Sequence, residues 1–384
     1  MNPDLSMPAF RTSPEASAAA TSRRPFGPTL AALRCSFPET VVTAADTVER
    51  LTALFPNEEP DFIQGLVHNS GVARRRIALP VEELLALRDF TERNRAYREI
   101  ALEHATRAAV DALAAAGMAP GDVDALIDVS CTGICLPALD VDLSAKLGLR
   151  PDVQRIPVTE AGCAGGVLGM GLGSALAAAG RNCLVVAVEL CTVAFVPDDS
   201  SRSNLIACVL FGDGAGAAVL RGTAPATPRS TESSGGPQMR ILATGSHLFP
   251  DTRHAMGFDV GSHGLKLLLD RSLPALLRAQ LRPAIVAFLE RHGLTPDDIG
   301  LHLVHTGGKR VLQVYEELFG IPDGGLLASH AALSRYGNLS SASIMTVFAE
   351  AERLGLRPGP GRKTLAVAFG PGLSAEFLLL DHQA

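Results

Sequence analysis

Two stretches nearly half the chain apart share one pattern. Gly117-Met118-Ala119-Pro120-Gly121-Asp122-Val123 leads into the apolar run Ala125 to Val129, and Gly293-Leu294-Thr295-Pro296-Asp297-Asp298-Ile299 leads into Leu301 to Val304. The spacing Gly-x-x-Pro-x-Asp-[Val/Ile] falls each time between a helix-like and a strand-like segment. Two further pairs keep the same order: Gly162-Cys163 with Gly337-Asn338, and Phe211-Gly212-Asp213-Gly214 with Phe369-Gly370-Pro371-Gly372. Ordered correspondences of this kind predict an internal duplication. The expected architecture is two similar α/β halves, residues 26–222 and 238–384, packed about a pseudo-twofold axis. The 384 residues exceed one ordinary core, which agrees. Residues 223–237, rich in Ser, Thr, Pro and Gly, read as the linker, and residues 1–25, without periodicity, as a flexible tail.

The bulk composition removes several classes of function. A formal charge of −6 gives no electrostatic case for nucleic acid. Seven cysteines, an odd number in a long chain, do not form a disulfide framework and suit a reducing cytoplasm. Cys131 and Cys135 have no second pair nearby, so no metal site is expected. Ala161 to Gly180 is apolar over a membrane-like length, but it is glycine-rich and a second apolar run begins at Cys183. A buried helix followed by a buried strand, with no membrane span, is the expectation.

Cys163 sits where the run Gln154 to Thr159 turns into that helix. Free N–H groups and the helix dipole favour a thiolate there, so a lowered thiol pKa is expected. If the duplication holds, Asn338 occupies the equivalent helix start of the second half. His305, at a strand end before Thr306-Gly307-Gly308-Lys309, could meet both. Cysteine, histidine and asparagine together form a nucleophilic acyl-transfer set, with His305 pairing the thiolate and both His305 and Asn338 donating to an oxyanion. Taken singly, Cys163 reads equally as a buried small residue and Asn338 as an N-cap. Arg74, Arg75 and Arg76 read either as a solvated turn or as a contact for coenzyme A phosphates.

Gly162-Cys163-Ala164-Gly165-Gly166, Leu210-Phe211-Gly212-Asp213-Gly214, His305-Thr306-Gly307-Gly308, Tyr336-Gly337-Asn338-Leu339-Ser340-Ser341 and Phe369-Gly370-Pro371-Gly372-Leu373 resemble, in order, the signature stretches of type III polyketide synthases, the chalcone synthase-like enzymes. The resemblance spans roughly Pro28 to Leu380. It implies a thiolase fold (αβαβα layers), a homodimer, no carrier protein and no cofactor beyond coenzyme A thioester substrates. By it, Cys163 carries the growing chain, and His305 and Asn338 drive decarboxylation of malonyl-CoA. Phe211 matches the gatekeeper phenylalanine. Leu136-Pro137 matches a loop that reaches the partner's site. Ala194, Phe258, Leu267, Ser340, Gly370, Pro371 and Gly372 border the acyl cavity, and Gly307 and Gly308 lie by the coenzyme A entry.

The chain also departs from the plant members. Their phosphate-gripping lysines are absent between Phe62 and Asn69. Ala194 and Leu267 remove bulk where plant enzymes have threonine and an aromatic, while Phe258 adds bulk where they have glycine. These changes suit a medium or long fatty acyl starter and an alkylpyrone or alkylresorcinol product, as in some bacterial members. Two alternatives stand beside this expectation. One is a ketoacyl-ACP synthase III-like enzyme, against which the Phe-Gly-Pro-Gly-Leu and Tyr-Gly-Asn-Leu-Ser-Ser stretches argue. The other is a non-catalytic acyl-binding scaffold on the same fold.

Overall fold

The computed structural model describes residues 27–194, 199, 201–223, 239–261 and 264–382. The expected tail, and the expected linker apart from Thr223, lie outside the described residues. In chain order the strands are β1 (Thr29–Ser36), β2 (Val41–Thr43), β3 (Arg74–Arg76), β4 (Ala125–Val129), β5 (Gln154–Val158), β6 (Cys183–Leu190), β7 (Asp213–Arg221), β8 (Met239–Leu248), β9 (Met256–Gly261), β10 (Gly264–Leu269), β11 (Ile299–Val304), β12 (Lys363–Gly370) and β13 (Ser374–His382). Nine of them form one sheet in the order β11-β12-β13-β8-β1-β7-β6-β4-β5, while β2 pairs with β3 and β9 with β10.

The duplication is visible in that order. Outward from the β1–β8 junction, one side reads β1, β7, β6, β4 and the other β8, β13, β12, β11. On both sides the outer pair is parallel and the next two pairings are antiparallel. A 3-10 turn, Pro120–Asp122 or Pro296–Asp298, precedes the equivalent strands β4 and β11. In each turn the aspartate accepts from the backbone N–H three residues earlier, which explains why Asp recurs at that spacing. Among the described residues only the first side carries a further strand, β5, beyond its outer pair.

Layering follows from which faces are apolar. The helices Gly165–Ala178 and Ser343–Arg353 share one core with strands of both halves, through Val167, Met170, Ile344 and Met345. The helix Phe90–Ala116 covers the outer face of the first half with a stripe of small residues, Ala101, Ala105, Ala108 and Ala112. The helix Leu273–Glu290 covers the second, where Phe288 packs on Phe377 at 5.2 Å between ring centroids. Helix, one arm of the sheet, paired central helices, the other arm of the sheet and helix make the five layers of the thiolase fold. Among the described residues no helix is long and apolar enough to cross a membrane.

Candidate active site

The two central helices begin almost in contact, and their starts build the site. Gly162 has φ +53°, and a Cβ there would meet Pro371 Cδ at 2.6 Å. Gly166 has no room for a Cβ because the Ser341 carbonyl occupies it. The run Gly-Cys-Ala-Gly-Gly is therefore dictated by close approach on both flanks of Cys163. The 3-10 turn Gly162–Ala164 presents Cys163, and the 3-10 turn Ser340–Ala342 follows Asn338. These are the equivalent helix starts of the two halves. His305 comes from the loop after β11, tied by its N–H to Val367 O at 2.9 Å.

Cys163, His305 and Asn338 line one cavity with Phe211, Phe258, Leu267, Gly307 and Pro371. The Cys163 thiol donates to Ser340 Oγ at 3.5 Å. Ser340, a non-glycine residue at φ +47°, also holds Cys131 Sγ at 3.2 Å. Asn338 is fixed by its acceptor side: Oδ1 takes the Ser340 N–H at 2.8 Å and the Ser343 hydroxyl at 3.1 Å. Its amide nitrogen is thereby left as the donor for the cavity. His305 is buried, and its Nδ1 has no hydrogen-bond partner.

The thiol differs from the expectation. Burial pushes Cys163 up to about 11; the Ser340 hydroxyl pulls it down, the Glu189 charge adds to the rise, and the Asn338 amide pulls it down again. Burial alone lowers His305 to about 3. Burial thus opposes the charged form of both groups, the reverse of the lowered thiol pKa expected, and among the described residues no hydrogen bond joins the two side chains. Desolvation in this apolar chamber outweighs the helix-start effect, whose reach is about one turn.

Beneath the turn lies a residue that sequence reasoning missed. Glu189 is fully buried on β6. It accepts from the Thr132 hydroxyl at 2.7 Å, from the N–H groups of Cys131 and Thr132, and from the Ser341 hydroxyl. The carboxylate so clamps the loop after β4 to the Asn338 turn. Its signal was present: one acid in the otherwise apolar strand Cys-Leu-Val-Val-Ala-Val-Glu-Leu.

The remaining expected residues separate. Phe211, Phe258 and Leu267 also border a second, outer chamber lined by Ala194, Leu51, Ile77 and Leu84. Phe258 faces Leu267 across the β9–β10 hairpin. Gly370 to Gly372 pack on the Cys163 turn, where a Cβ on Gly370 would meet Ala161 O at 2.7 Å. Leu136 lies away from the cavity and is 98 % exposed. The three arginines do not form one phosphate patch. Arg75 is buried and donates to Phe211 O at 2.9 Å, and Arg76 donates to Glu39 O at 2.9 Å. Arg75 turns inward while Arg74 does not, because successive residues of β3 point to opposite faces. Arg74 is exposed. Among the described residues no group of three or more His, Cys, Asp or Glu side chains could hold a metal ion.

Residues 17–225 match the model of the chalcone and stilbene synthase N-terminal domain, and residues 240–383 that of the C-terminal domain. The chain belongs to the chalcone and stilbene synthase family. It is 37 % identical over 358 residues to 1,3,6,8-tetrahydroxynaphthalene synthase of Streptomyces peucetius subsp. caesius, covering 92 % of this chain and 93 % of that one. An alpha-pyrone synthesis polyketide synthase-like protein of Mycobacterium tuberculosis is 28 % identical, over 90 % of this chain and 88 % of that one. The crystal structure of 1,3,6,8-tetrahydroxynaphthalene synthase from Streptomyces coelicolor A3(2), a bacterial type III polyketide synthase, superposes with a TM-score of 0.85 at 31 % identity, over 93 % of this chain and 99 % of that one. Membership makes the chain a type III polyketide synthase, an acyltransferase of decarboxylative condensation whose substrates are coenzyme A thioesters and which needs no further cofactor.

Proposed function

We propose that Cys163 is the acyl carrier and that His305 and Asn338 handle the charge of the condensation. The reading rests on one observation: the three side chains, brought from both halves, meet in one largely apolar cavity. The neutral His305 imidazole accepts the Cys163 proton as sulfur attacks the starter thioester. The new S–C bond replaces the C–S bond to coenzyme A, and the departing thiolate takes the proton from the imidazolium. Malonyl-CoA then loses carbon dioxide, and the electron pair of the broken C–C bond becomes an enolate. The Asn338 amide and a ring N–H of His305 hold its oxygen. The enolate carbon attacks the acyl-Cys163 carbonyl, a C–C bond forms, and the thiolate leaves. An apolar, desolvated chamber strengthens both hydrogen bonds. Repetition and ring closure complete the polyketide.

Two starters suit different features. The apolar lining of the outer chamber favours the fatty acyl chain, with an alkylpyrone or alkylresorcinol as product. Kinship at 30–37 % identity to tetrahydroxynaphthalene synthases favours a short oxygenated starter such as malonyl-CoA. A homodimer is supported by Leu136, an aliphatic side chain left almost wholly in water by the single chain. The test of the core reading is Cys163→Ala with malonyl-CoA and a ladder of acyl-CoA starters, products identified by mass. Complete loss of polyketide in a folded protein is expected; full-length product at the wild-type rate would place the nucleophile elsewhere.

A further inference from the structure

Among its described lining residues the outer chamber has one buried charged group whose hydrogen bonding is incomplete. Its other polar side chains are engaged within the protein. The Thr47 hydroxyl donates to Thr43 O, Arg50 pairs with Glu82, the Thr132 hydroxyl is held by Glu189, that of Thr192 by Asp213, and the Asn204 amide donates to Asp199 O. Arg75 is the exception. It is 9 % exposed, lines the same chamber, and spends Nη1 on Phe211 O, yet its Nε–H has no partner. Asp213 lies within electrostatic range but makes no ion pair with it; that carboxylate is occupied by the N–H groups of Ala78 and Thr192 and by the Thr192 hydroxyl. A buried guanidinium donor without an acceptor is costly. A purely aliphatic occupant of the chamber offers this guanidinium no acceptor, whereas an anionic oxygen does.

We propose that Arg75 is a specificity-determining residue that receives a carboxylate at the far end of the starter acyl group. The enzyme then loads ω-carboxyacyl thioesters of the malonyl or succinyl type ahead of neutral chains of equal length. The proposal rests on Cys163 being the residue acylated. It also separates two carboxylates of one chemistry. The starter's is held in the outer chamber beyond Phe211, away from His305 and Asn338, while the extender's lies beside them and is lost.

The test measures acylation of Cys163 by intact-protein mass, without extender, from succinyl-CoA and from butanoyl-CoA, which differ by a carboxylate in place of a methyl group. The wild type should favour succinyl-CoA by about ten- to a hundredfold, the worth of a charge-assisted hydrogen bond. Arg75→Met should reverse the preference, and Arg75→Lys should retain part of it. A structural role for Arg75, holding only the Phe211 carbonyl, would slow both thioesters alike and leave their ratio unchanged. An unchanged ratio in Arg75→Met, or a wild type that prefers butanoyl-CoA, overturns the proposal, and the second result decides even where the methionine variant does not fold. Absence of any adduct at Cys163 from either thioester would overturn the nucleophile assignment as well.

Discussion

Replacing Asn338 by aspartate removes one hydrogen-bond donor while keeping the acceptor that organises the turn. Oδ1 of Asn338 takes the Ser340 N–H at 2.8 Å and the Ser343 hydroxyl at 3.1 Å, and an aspartate oxygen can accept both. What disappears is the amide N–H directed at the cavity. Losing one preorganised donor to a developing oxyanion costs about 2.7–4 kcal/mol, or 10²–10³ in rate. Asn338→Asp should therefore decarboxylate malonyl-CoA at least about 10²-fold more slowly, and the negative charge beside the enolate adds to the loss. Acylation of Cys163 should suffer less, by about tenfold at most, because there the amide contributes one hydrogen bond to the sulfur. The assay follows carbon dioxide release from malonyl-CoA and, separately, single-turnover acylation by mass. Asn338→Ala is the structural control: it strands two buried donors at about 1–3 kcal/mol each and should lower the melting temperature more than the aspartate does. Decarboxylation within threefold of wild type in Asn338→Asp, or equal losses in both steps, would refute the assignment of Asn338 as an enolate donor.

A second prediction concerns pH and stability. Asp128 is 5 % exposed, with Oδ1 unpartnered, and burial, helped by the charge of Asp140, raises its pKa from 3.8 to about 7. The folded state holds this proton more tightly than the unfolded one. Its contribution is full below pH 4 and is lost as pH rises through about 7, up to about 4 kcal/mol. Asp128→Asn should raise the melting temperature more at pH 8 than at pH 5; equal gains would contradict it. A third concerns assembly. Light scattering should give twice the 40.1 kDa chain mass, and Leu136→Asp should shift the protein toward monomer; a wild-type monomer at assay concentration would end that reading.

Much of the site was legible because its residues lie in turns where few residue types fit. The recurring Gly-x-x-Pro-x-Asp pattern located β4 and β11, and the Gly-Cys and Gly-Asn pairs located two helix starts that the fold brings together. What escaped depends on long-range contact. Nothing local distinguishes Arg75 from Arg74, yet alternation along β3 buries one and exposes the other. The direction of the Cys163 shift depends on how much apolar wall surrounds it, and that wall comes from segments far away in sequence, Phe258, Leu267 and Phe369. That the described residues of the second half hold no counterpart of β5 was likewise invisible, since a repeat pattern in the sequence does not reveal which strand one copy lacks.

Glu189 has a consequence for the order in which the chain is made. It leaves the ribosome 57 residues after Thr132 and 152 residues before Ser341. During that interval a carboxylate destined for the molecular interior lacks one of its donors, and the central helix above it lacks the neighbour that shields it. β1 likewise waits for β8. The first half is thus an unfinished unit during synthesis. Its clamp closes only when the second half arrives, and a chain truncated between them should occupy chaperones rather than fold.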